Sequence, residues 1–203
     1  MTSSRLNIVL GAGPIGDSSD AQAKFTTPQK AQEFISLFRK FGHTDLDTAR
    51  GYSPAAPGSS EALLSQTDAA QWATIDTKVT SWVPGSHSAS KIEQSIKGSL
   101  EALRMEKVHI MYLHAPDRET PFEETCEAMD KAYRARKFEK FGISNYSPKE
   151  VEQILKLCEE HGWVKPSVYQ GQYNAIARLN EDELLPLLRK HGLSYYAYRC
   201  VHG

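Results

Sequence analysis

The chain has 203 residues, which suits one ordinary domain, and its 40% apolar and 24% charged residues are typical of a soluble globular protein. The 24 Lys and Arg side chains nearly balance the 25 Asp and Glu side chains, and no apolar stretch reaches about 18 residues, so neither a nucleic-acid partner nor a membrane span is predicted. The short N-terminal apolar run and the three scattered cysteines favour a cytoplasmic protein without a disulfide framework or a zinc site.

Short β-rich segments alternate with longer helical segments along the chain. The predicted strands are LNIVL, TDLDT, ATIDTKV, KVHIMYLH, FGIS, PSVYQ and LSYYAY, which begin at Leu6, Thr44, Ala73, Lys107, Phe141, Pro166 and Leu193. Seven strands that alternate with helices indicate a parallel sheet covered by helices. Two α/β architectures are compatible with this pattern, a doubly wound sheet and a (β/α)₈ barrel of the TIM type.

Caps and breakers mark the helix boundaries. Thr27 and Pro28 predict the start of the first helix, and Gly42 predicts its end. Two later helices begin at capping boxes, in which a Ser or Thr and a Glu three residues later satisfy each other's backbone N–H groups. The first box is Thr120 with Glu123, for a helix over 120–138, and the second is Ser147 with Glu150, for a helix that ends at Gly162.

Two further helices are predicted from their spacing and their breakers. The segment over residues 86–105 has a helical apolar stripe formed by Ile92, Ile96, Leu100 and Leu103. The segment over residues 180–192 is expected to kink or restart near Pro186, because proline lacks a backbone N–H.

The segment GAGPIG, Gly11–Gly16, fits the G-x-G-x-x-G pattern of a dinucleotide-binding loop. That fingerprint needs a helix that begins within the loop and an acidic residue at the end of a second strand. A long polar segment follows Pro14 instead, so we interpret Gly11–Gly16 as a glycine-rich loop that leaves the first strand. A dinucleotide-fold dehydrogenase that uses this loop is a minor alternative.

Polar side chains occur at the C-terminal ends of consecutive predicted strands. In a parallel barrel these ends meet at one mouth, where active sites form. Asp47 ends the second strand and Tyr52 follows it, Lys78 and His114 end the third and fourth strands, Ser144 and Asn145 end the fifth, and Gln170 ends the sixth.

Four of these side chains, those of Asp47, Tyr52, Lys78 and His114, together predict a site that donates a proton to its substrate and has no nucleophile. A buried lysine is costly unless it is paired, and Asp47 could pair with Lys78. The ammonium would lower the phenol pKa of Tyr52 from its usual value of about 10, and the tyrosine could then protonate a developing alkoxide. His114 could orient the carbonyl oxygen. Each residue alone has an ordinary structural explanation, but together they fit hydride addition to a carbonyl with a nicotinamide as hydride source.

The segments DTARGY, TKV, YLHAPD, FGISNYSP, VYQGQYNA and YYAY occur in this order over nearly the whole chain. Together they resemble the aldo-keto reductase family, most closely its aflatoxin-aldehyde reductase branch. The resemblance implies a (β/α)₈ barrel and NADPH-dependent reduction of an aldehyde or ketone, a small-molecule carbonyl substrate. It implies that Tyr52 is the proton donor, that Lys78 lowers its pKa, that Asp47 supports Lys78 at the cofactor, and that His114 orients the substrate.

The resemblance also implies how the chain holds the nicotinamide. Ser144, Asn145 and Gln170 would hydrogen-bond its carboxamide, and Tyr198 would stack on its ring. Members of the family often act in secondary metabolism, which is the context we expect for this chain.

The sequence departs from the family after YYAY, where only RCVHG follows. We therefore expect a single domain over residues 1–203, with seven of the eight strands and without the segment that binds the cofactor's phosphates. Cofactor affinity should then be reduced, and open strand edges would favour self-association. The alternative function is a catalytically inactive barrel that acts as a binding or regulatory partner.

Overall fold

The computed structural model describes residues 6–201, so the predicted domain over 1–203 and the tail RCVHG both extend past the described residues. Strands and helices alternate throughout. Their order is β1 (Val9–Gly11), α1 (Pro28–Lys40), β2 (Asp45–Asp47), α2 (Ser59–Leu64), α3 (Ala69–Trp72), β3 (Thr74–Val79), α4 (Ala89–Leu103), β4 (Val108–Leu113), α5 (Phe122–Arg134), β5 (Phe138–Ser144), α6 (Pro148–His161), β6 (Val168–Gln172), a 3₁₀ helix (Leu179–Glu181), α7 (Leu184–Lys190) and β7 (Ser194–Tyr198).

The seven strands lie in the sheet in the same order as in the chain, from β1 to β7. A doubly wound sheet reverses its strand order at a switch point, so this sequential order excludes it. The fold is therefore the α/β fold of (β/α)₈ TIM-barrel type that the sequence predicts, with seven strands among residues 6–201. In that same range, no helix has the length and apolar character needed to cross a membrane.

The chain forms two compact units, and the first contains the described residues up to 77 together with residues 98–108. Its strands β1, β2 and β3 pair in parallel, with Gly11 opposite Asp47 and Asp47 opposite Asp76. Because β-strand side chains alternate between the two faces of a sheet, Asp47 and Asp76 lie on the same face.

Helix α1 confirms the predicted boundaries of the first helix. Thr27 is the N-cap, and its side chain accepts a hydrogen bond from the backbone N–H of Lys30 at 3.3 Å. Pro28 occupies the first helical position, where no backbone N–H is required. The helix ends at Lys40, and Gly42 follows with a φ of 81°, which a glycine adopts without strain.

The second unit contains residues 78–97 and the described residues from 109 onward. Strands β5, β6 and β7 pair in parallel, with Ser144 opposite Gln170 and Gln170 opposite Tyr196. Side chains of β4, β6 and β7 form a small core cluster, which consists of Ile110, Tyr112 and Val168 with Tyr196 packed against it.

The capping box at the start of α6 is confirmed. Ser147 Oγ accepts from the backbone N–H of Glu150 at 3.4 Å, and Glu150 Oε2 accepts from the backbone N–H of Ser147 at 2.8 Å. Gly162 ends the helix in the left-handed conformation, with a φ of 66°. Both signals were local in the sequence, which is why they were predictable.

The capping box predicted at Thr120 and Glu123 is wrong. Helix α5 begins at Phe122 with Pro121 as its N-cap, and no side chain caps it. The Thr120 hydroxyl instead donates to Asp117 Oδ2 at 2.7 Å, because that carboxylate competes successfully for the hydroxyl proton. The helix also ends at Arg134, so β5 begins three residues earlier than the predicted strand.

Other boundaries differ in smaller ways. The helical segment does restart near Pro186 as predicted: the 3₁₀ helix ends at Glu181 and α7 begins at Leu184, so Pro186 lies in the first turn of α7, where its missing N–H is tolerated. The short helix α3 was not predicted. The apolar stripe of α4 is buried as expected, and its members are Ile92, Ile96, Leu100 and Leu103.

Replacement of Ser147 with alanine should lower the free energy of unfolding by about 1 kcal/mol, because one backbone N–H of the first turn of α6 loses its partner. Lys149→Ala, at an exposed position in the same turn, is the matched control and should change stability by less than about 0.5 kcal/mol. Urea denaturation of the two variants measures the difference, and equal midpoints would contradict the capping role.

Candidate active site

Asp47 and Tyr52 lie together in the first unit. Asp47 is the last residue of β2 and is buried, whereas Tyr52 is half-buried on the loop between β2 and α2. The Tyr52 hydroxyl donates a hydrogen bond to Asp47 Oδ2 at 3.4 Å. Asp45 begins the same strand, and its side chain accepts from Asn7 Nδ2 at 3.3 Å.

A buried ion pair braces the loop that carries Tyr52. Arg50 Nη1 donates to Glu61 Oε2 at 3.0 Å and to the carbonyl oxygen of Gly98 at 3.2 Å. The Glu61 side chain is completely buried, and its other oxygen accepts from Thr77 Oγ1 at 2.7 Å. A buried carboxylate is stable when both oxygens are satisfied in this way. Because Arg50 precedes Tyr52 and Glu61 follows it, the pair restrains both ends of the loop.

Lys78 lies in the second unit and is completely buried near the end of β3. Its ammonium nitrogen is 5.7 Å from the ring centroid of Tyr112 on β4, within the range of a cation–π contact. Burial, and secondarily the positive charge of Lys78, lower the pKa of His114 to about 3. His114, which directly follows β4, is therefore neutral near pH 7.

A buried polar cluster connects the loops that follow β3 and β4. Ser81 Oγ lies 2.8 Å from His87 Nε2 and accepts from the backbone N–H of Ala115 at 3.3 Å. Asp117 accepts from the backbone N–H of His87 at 3.0 Å. Since Ala115 follows His114 directly, this cluster restrains the backbone that carries the predicted substrate-orienting residue.

Trp82 covers one side of His114. The two rings are arranged edge to face, with centroids 5.7 Å apart, and the indole is 69% exposed. Trp82 has a φ of 70°, which is uncommon for a large side chain. The exposure of the indole shows that Trp82 is not a core residue.

The predicted nicotinamide residues are joined by hydrogen bonds. The Tyr198 hydroxyl donates to Asn145 Oδ1 at 2.8 Å, and Asn145 Nδ2 donates to the carbonyl oxygen of His114 at 2.9 Å and to Ser144 Oγ at 3.0 Å. Burial raises the pKa of Tyr198 above its usual value, so its hydroxyl keeps its proton. Four predicted site residues are thus in direct contact.

Gln170 lies in the middle of β6, not at its end as predicted. The strand continues to Gln172 because that residue still pairs with Tyr198 of β7. Gln170 is buried and stands level with Ser144 on the neighbouring strand, so both side chains lie on the same face.

The chemistry of these side chains fits a nicotinamide. A carboxamide presents one carbonyl acceptor and one amide donor, and a hydroxyl together with two side-chain amides can satisfy both. Ser144, Asn145 and Gln170 supply these groups, and the Tyr198 ring supplies an apolar surface. Among residues 6–201, no three His, Cys, Asp or Glu side chains are arranged to hold a metal ion.

Comparison with known proteins gives consistent matches over most of the chain. Residues 7–203 match the sequence model of the Aldo/keto reductase family. The chain is 41% identical over 177 residues to an aldo-keto reductase of Pseudocercospora fijiensis, covering 83% of this chain and 58% of the relative. It is 38% identical over 204 residues to aflatoxin B1 aldehyde reductase member 2 of Homo sapiens, covering 98% and 54%. It is also 35% identical over 194 residues to oxidoreductase sirO of Leptosphaeria maculans, covering 94% and 58%.

The chain therefore spans somewhat more than half the length of the curated relatives that it matches.

Replacement of Gly58 with alanine should disrupt the brace around Tyr52. Gly58 has a φ of 86°, and a Cβ there would lie 2.2 Å from Arg50 Nη1, so the guanidinium must leave Glu61. We expect a loss of about 2–4 kcal/mol in the free energy of unfolding, measured by denaturant titration. Gly42→Ala is the matched control, because Gly42 also has a positive φ of 81° but faces open space. Equal losses of unfolding free energy in the two variants would show that the positive φ alone, and not the clash with Arg50, causes the destabilisation.

Acidification should destabilise the fold through His87. Burial lowers the pKa of His87 to about 4 from the ordinary histidine value of 6.5, against the opposing effect of the Asp117 charge. Below the unfolded pKa the unfolded chain binds a proton that the folded chain does not, so stability falls as the pH decreases from 6.5 to about 4. The expected contribution of His87 is about 3 kcal/mol.

His87→Gln should remove this contribution and flatten the pH dependence of the free energy of unfolding. Parallel pH profiles for wild type and variant would contradict the buried neutral state of His87.

Proposed function

Because this chain belongs to the aldo/keto reductase family, we propose that it reduces an aldehyde or ketone to an alcohol with a hydride from NADPH. The family match over residues 7–203 and the reductase and oxidoreductase relatives support carbonyl reduction. In the chain itself, the observation that carries the proposal is the completely buried Lys78, whose charge acts on a neutral His114.

The proposed acid is Tyr52. Hydride addition to a carbonyl carbon leaves negative charge on the oxygen, which must be stabilised and protonated. A phenol with an ordinary pKa of about 10 is a weak acid for this purpose. We assign to Lys78 the stabilisation of the phenolate, which lowers that pKa. We assign to Asp47 the support of the Lys78 charge, and its hydrogen bond with the Tyr52 hydroxyl supports its place in the same machinery.

The proposed orienting residue is His114. With its pKa lowered to about 3, the imidazole is neutral and carries one N–H donor. A neutral donor can hold a carbonyl oxygen without competing with Tyr52 as the acid. This role suits substrate binding, whereas an imidazolium would also be an acid near neutral pH.

The proposed nicotinamide site comprises Ser144, Asn145, Gln170 and Tyr198, and we also assign Asp47 to cofactor binding. When bound, the nicotinamide supplies the hydride. The first three residues would fix the carboxamide and hence present one face of the ring to the substrate. The Tyr198 ring would cover the opposite face and exclude water.

The substrate class that we propose is a small aldehyde or ketone, and the proposed setting is cytoplasmic secondary metabolism. The aldehyde class is supported by the name of the human relative, which is an aflatoxin B1 aldehyde reductase. The three free cysteines, two of them buried, are compatible with a reducing compartment.

The second candidate function is a non-catalytic binding partner, including self-association. It is favoured by Ile176 and Leu179, which are 86% and 94% exposed between β6 and α7. Exposed apolar side chains can belong to surfaces for association, and these two are three residues apart in the chain. Under this function, substitution of Tyr52 would leave binding unchanged.

Tyr52→Phe tests the proposed function. The variant keeps the ring but loses the hydroxyl proton, so kcat for an activated aromatic aldehyde should fall by about 10²-fold or more. The rate of NADPH oxidation, followed by absorbance, gives kcat. A separate fluorescence titration gives the affinity for NADPH. Affinity for NADPH should stay close to that of wild type, because the phenol hydroxyl acts on the substrate.

Tyr133→Phe, at a partly exposed position on α5, is the control and should turn over like wild type. A wild-type rate in Tyr52→Phe would exclude this tyrosine as the acid. Absence of any alcohol product from the folded wild-type chain would favour the second candidate.

A further inference from the structure

Three elements of the second unit are joined by one chain of hydrogen bonds through Asn145. The Tyr198 hydroxyl, at the end of β7, donates to Asn145 Oδ1 at 2.8 Å. Asn145 follows β5, and its Nδ2 donates to the main-chain carbonyl of His114 at 2.9 Å. His114 in turn directly follows β4. This series of hydrogen bonds therefore extends from a residue predicted to bind the nicotinamide to the residue predicted to orient the substrate.

The direction of each hydrogen bond is determined by chemistry. A main-chain carbonyl only accepts, so the atom of Asn145 that faces His114 must be the amide nitrogen. The side-chain oxygen then faces Tyr198, whose hydroxyl must donate. The second hydrogen of Nδ2 is directed to Ser144 Oγ at 3.0 Å, so both amide hydrogens are in use.

The backbone at Asn145 supports this arrangement. Asn145 has a φ of 65°, in the left-handed region that asparagine tolerates better than most residues. Surrounding contacts that hold a residue in the left-handed conformation also fix the direction in which its side chain leaves the backbone. The amide is thus restrained both by the backbone and by its three hydrogen bonds.

We propose that the Tyr198 hydroxyl and the Asn145 amide are positioning groups that fix the main chain at His114. Tyr198, which would cover the nicotinamide, thereby also determines the position of His114, which would orient the carbonyl. This inference rests on the proposed function, which assigns the ring of Tyr198 to stacking and Asn145 to the carboxamide. It adds a separate role for the hydroxyl of Tyr198, which stacking does not require.

The same hydrogen bonds determine what Asn145 can offer to a carboxamide. Since both hydrogens of Nδ2 are used, only the second lone pair of Oδ1 is left, and it can accept from a carboxamide N–H. The donors to the carboxamide oxygen must then be the Ser144 hydroxyl and the Gln170 amide. Tyr198 and the carboxamide would share Oδ1 as acceptor.

Tyr198→Phe separates the hydroxyl from the ring. The variant keeps the aromatic surface, so NADPH affinity measured by fluorescence should change by less than about threefold. Loss of one hydrogen bond to Asn145 should reduce kcat/KM for the aldehyde by about threefold to tenfold, mainly through KM, because His114 loses its fixed position.

Tyr195→Phe is the matched control on the same strand. The Tyr195 hydroxyl donates to the carbonyl oxygen of Gln172 at 3.0 Å, accepts from Asn180 Nδ2 at 2.9 Å and does not contact Asn145. Tyr195→Phe therefore loses at least as many hydrogen bonds as Tyr198→Phe without affecting the hydrogen bonds to His114, and its kcat/KM should equal that of wild type. Equal losses in both variants would show a general structural effect and overturn the proposal.

A readout without turnover distinguishes failure of the inference from failure of the proposed function. The imidazole signals of His114 are followed by NMR in the folded, ligand-free chain and assigned with His114→Gln. They should shift in Tyr198→Phe and in Asn145→Asp, which keeps the acceptor for Tyr198 but loses the donor to His114, and should not shift in Tyr195→Phe.

If the His114 signals shift in Tyr198→Phe and Asn145→Asp although the wild-type chain shows no turnover, the positioning role is supported and the proposed function is contradicted. Unshifted His114 signals in Tyr198→Phe would overturn the positioning role, whether or not the chain reduces aldehydes.

Discussion

The burial of the Lys78 ammonium is the constraint on which the second unit depends. A buried charge is strongly unfavourable unless its surroundings compensate it, so a completely buried lysine imposes requirements on its neighbours. The Tyr112 ring faces the ammonium at 5.7 Å, and the same charge helps to hold His114 in its neutral form. A hydrophobic residue at this position would pack with less difficulty. A charge at this position agrees with the role proposed for Lys78.

Buried and half-buried polar groups with several hydrogen-bond partners restrain the loops that carry the candidate chemistry. In the first unit, Glu61 accepts from Arg50 and Thr77 and so holds the loop of Tyr52. In the second unit, Asp117 and Asn145 perform the same task for the loops after β3, β4 and β5. Side chains on loops are positioned less accurately than those on strands, unless a second layer of contacts restrains them. Each unit supplies that layer from its own residues.

The sequence predicted features that depend on local chemistry and missed those that depend on distant partners. The alternation of strands and helices, the cap at Thr27 and the box at Ser147 were predictable, because each signal lies within a few residues. The sequential strand order was implied only by the family resemblance, since the pattern alone was also compatible with a doubly wound sheet. The box at Thr120 failed because the nearby Asp117 binds the hydroxyl, and Asp117 is itself held by the backbone N–H groups of Gly85 and His87, which are distant in the sequence. Glu61 was missed since a glutamate on a short helix resembles a solvated residue, and its burial depends on Arg50. The contact of Asn145 with the carbonyl of His114 depends on the packing of β4 against β5, which no local pattern reports.

Hydride transfer to a carbonyl carbon is tested most directly by an isotope. The chain is incubated with an aromatic aldehyde and NADPH that carries deuterium at the transferable C4 position, and the alcohol is analysed by mass spectrometry and proton NMR. Carbonyl reduction by this chain predicts one deuterium on the carbinol carbon, from one face of the nicotinamide only. Alcohol without the label, or no alcohol from the folded chain, would contradict it.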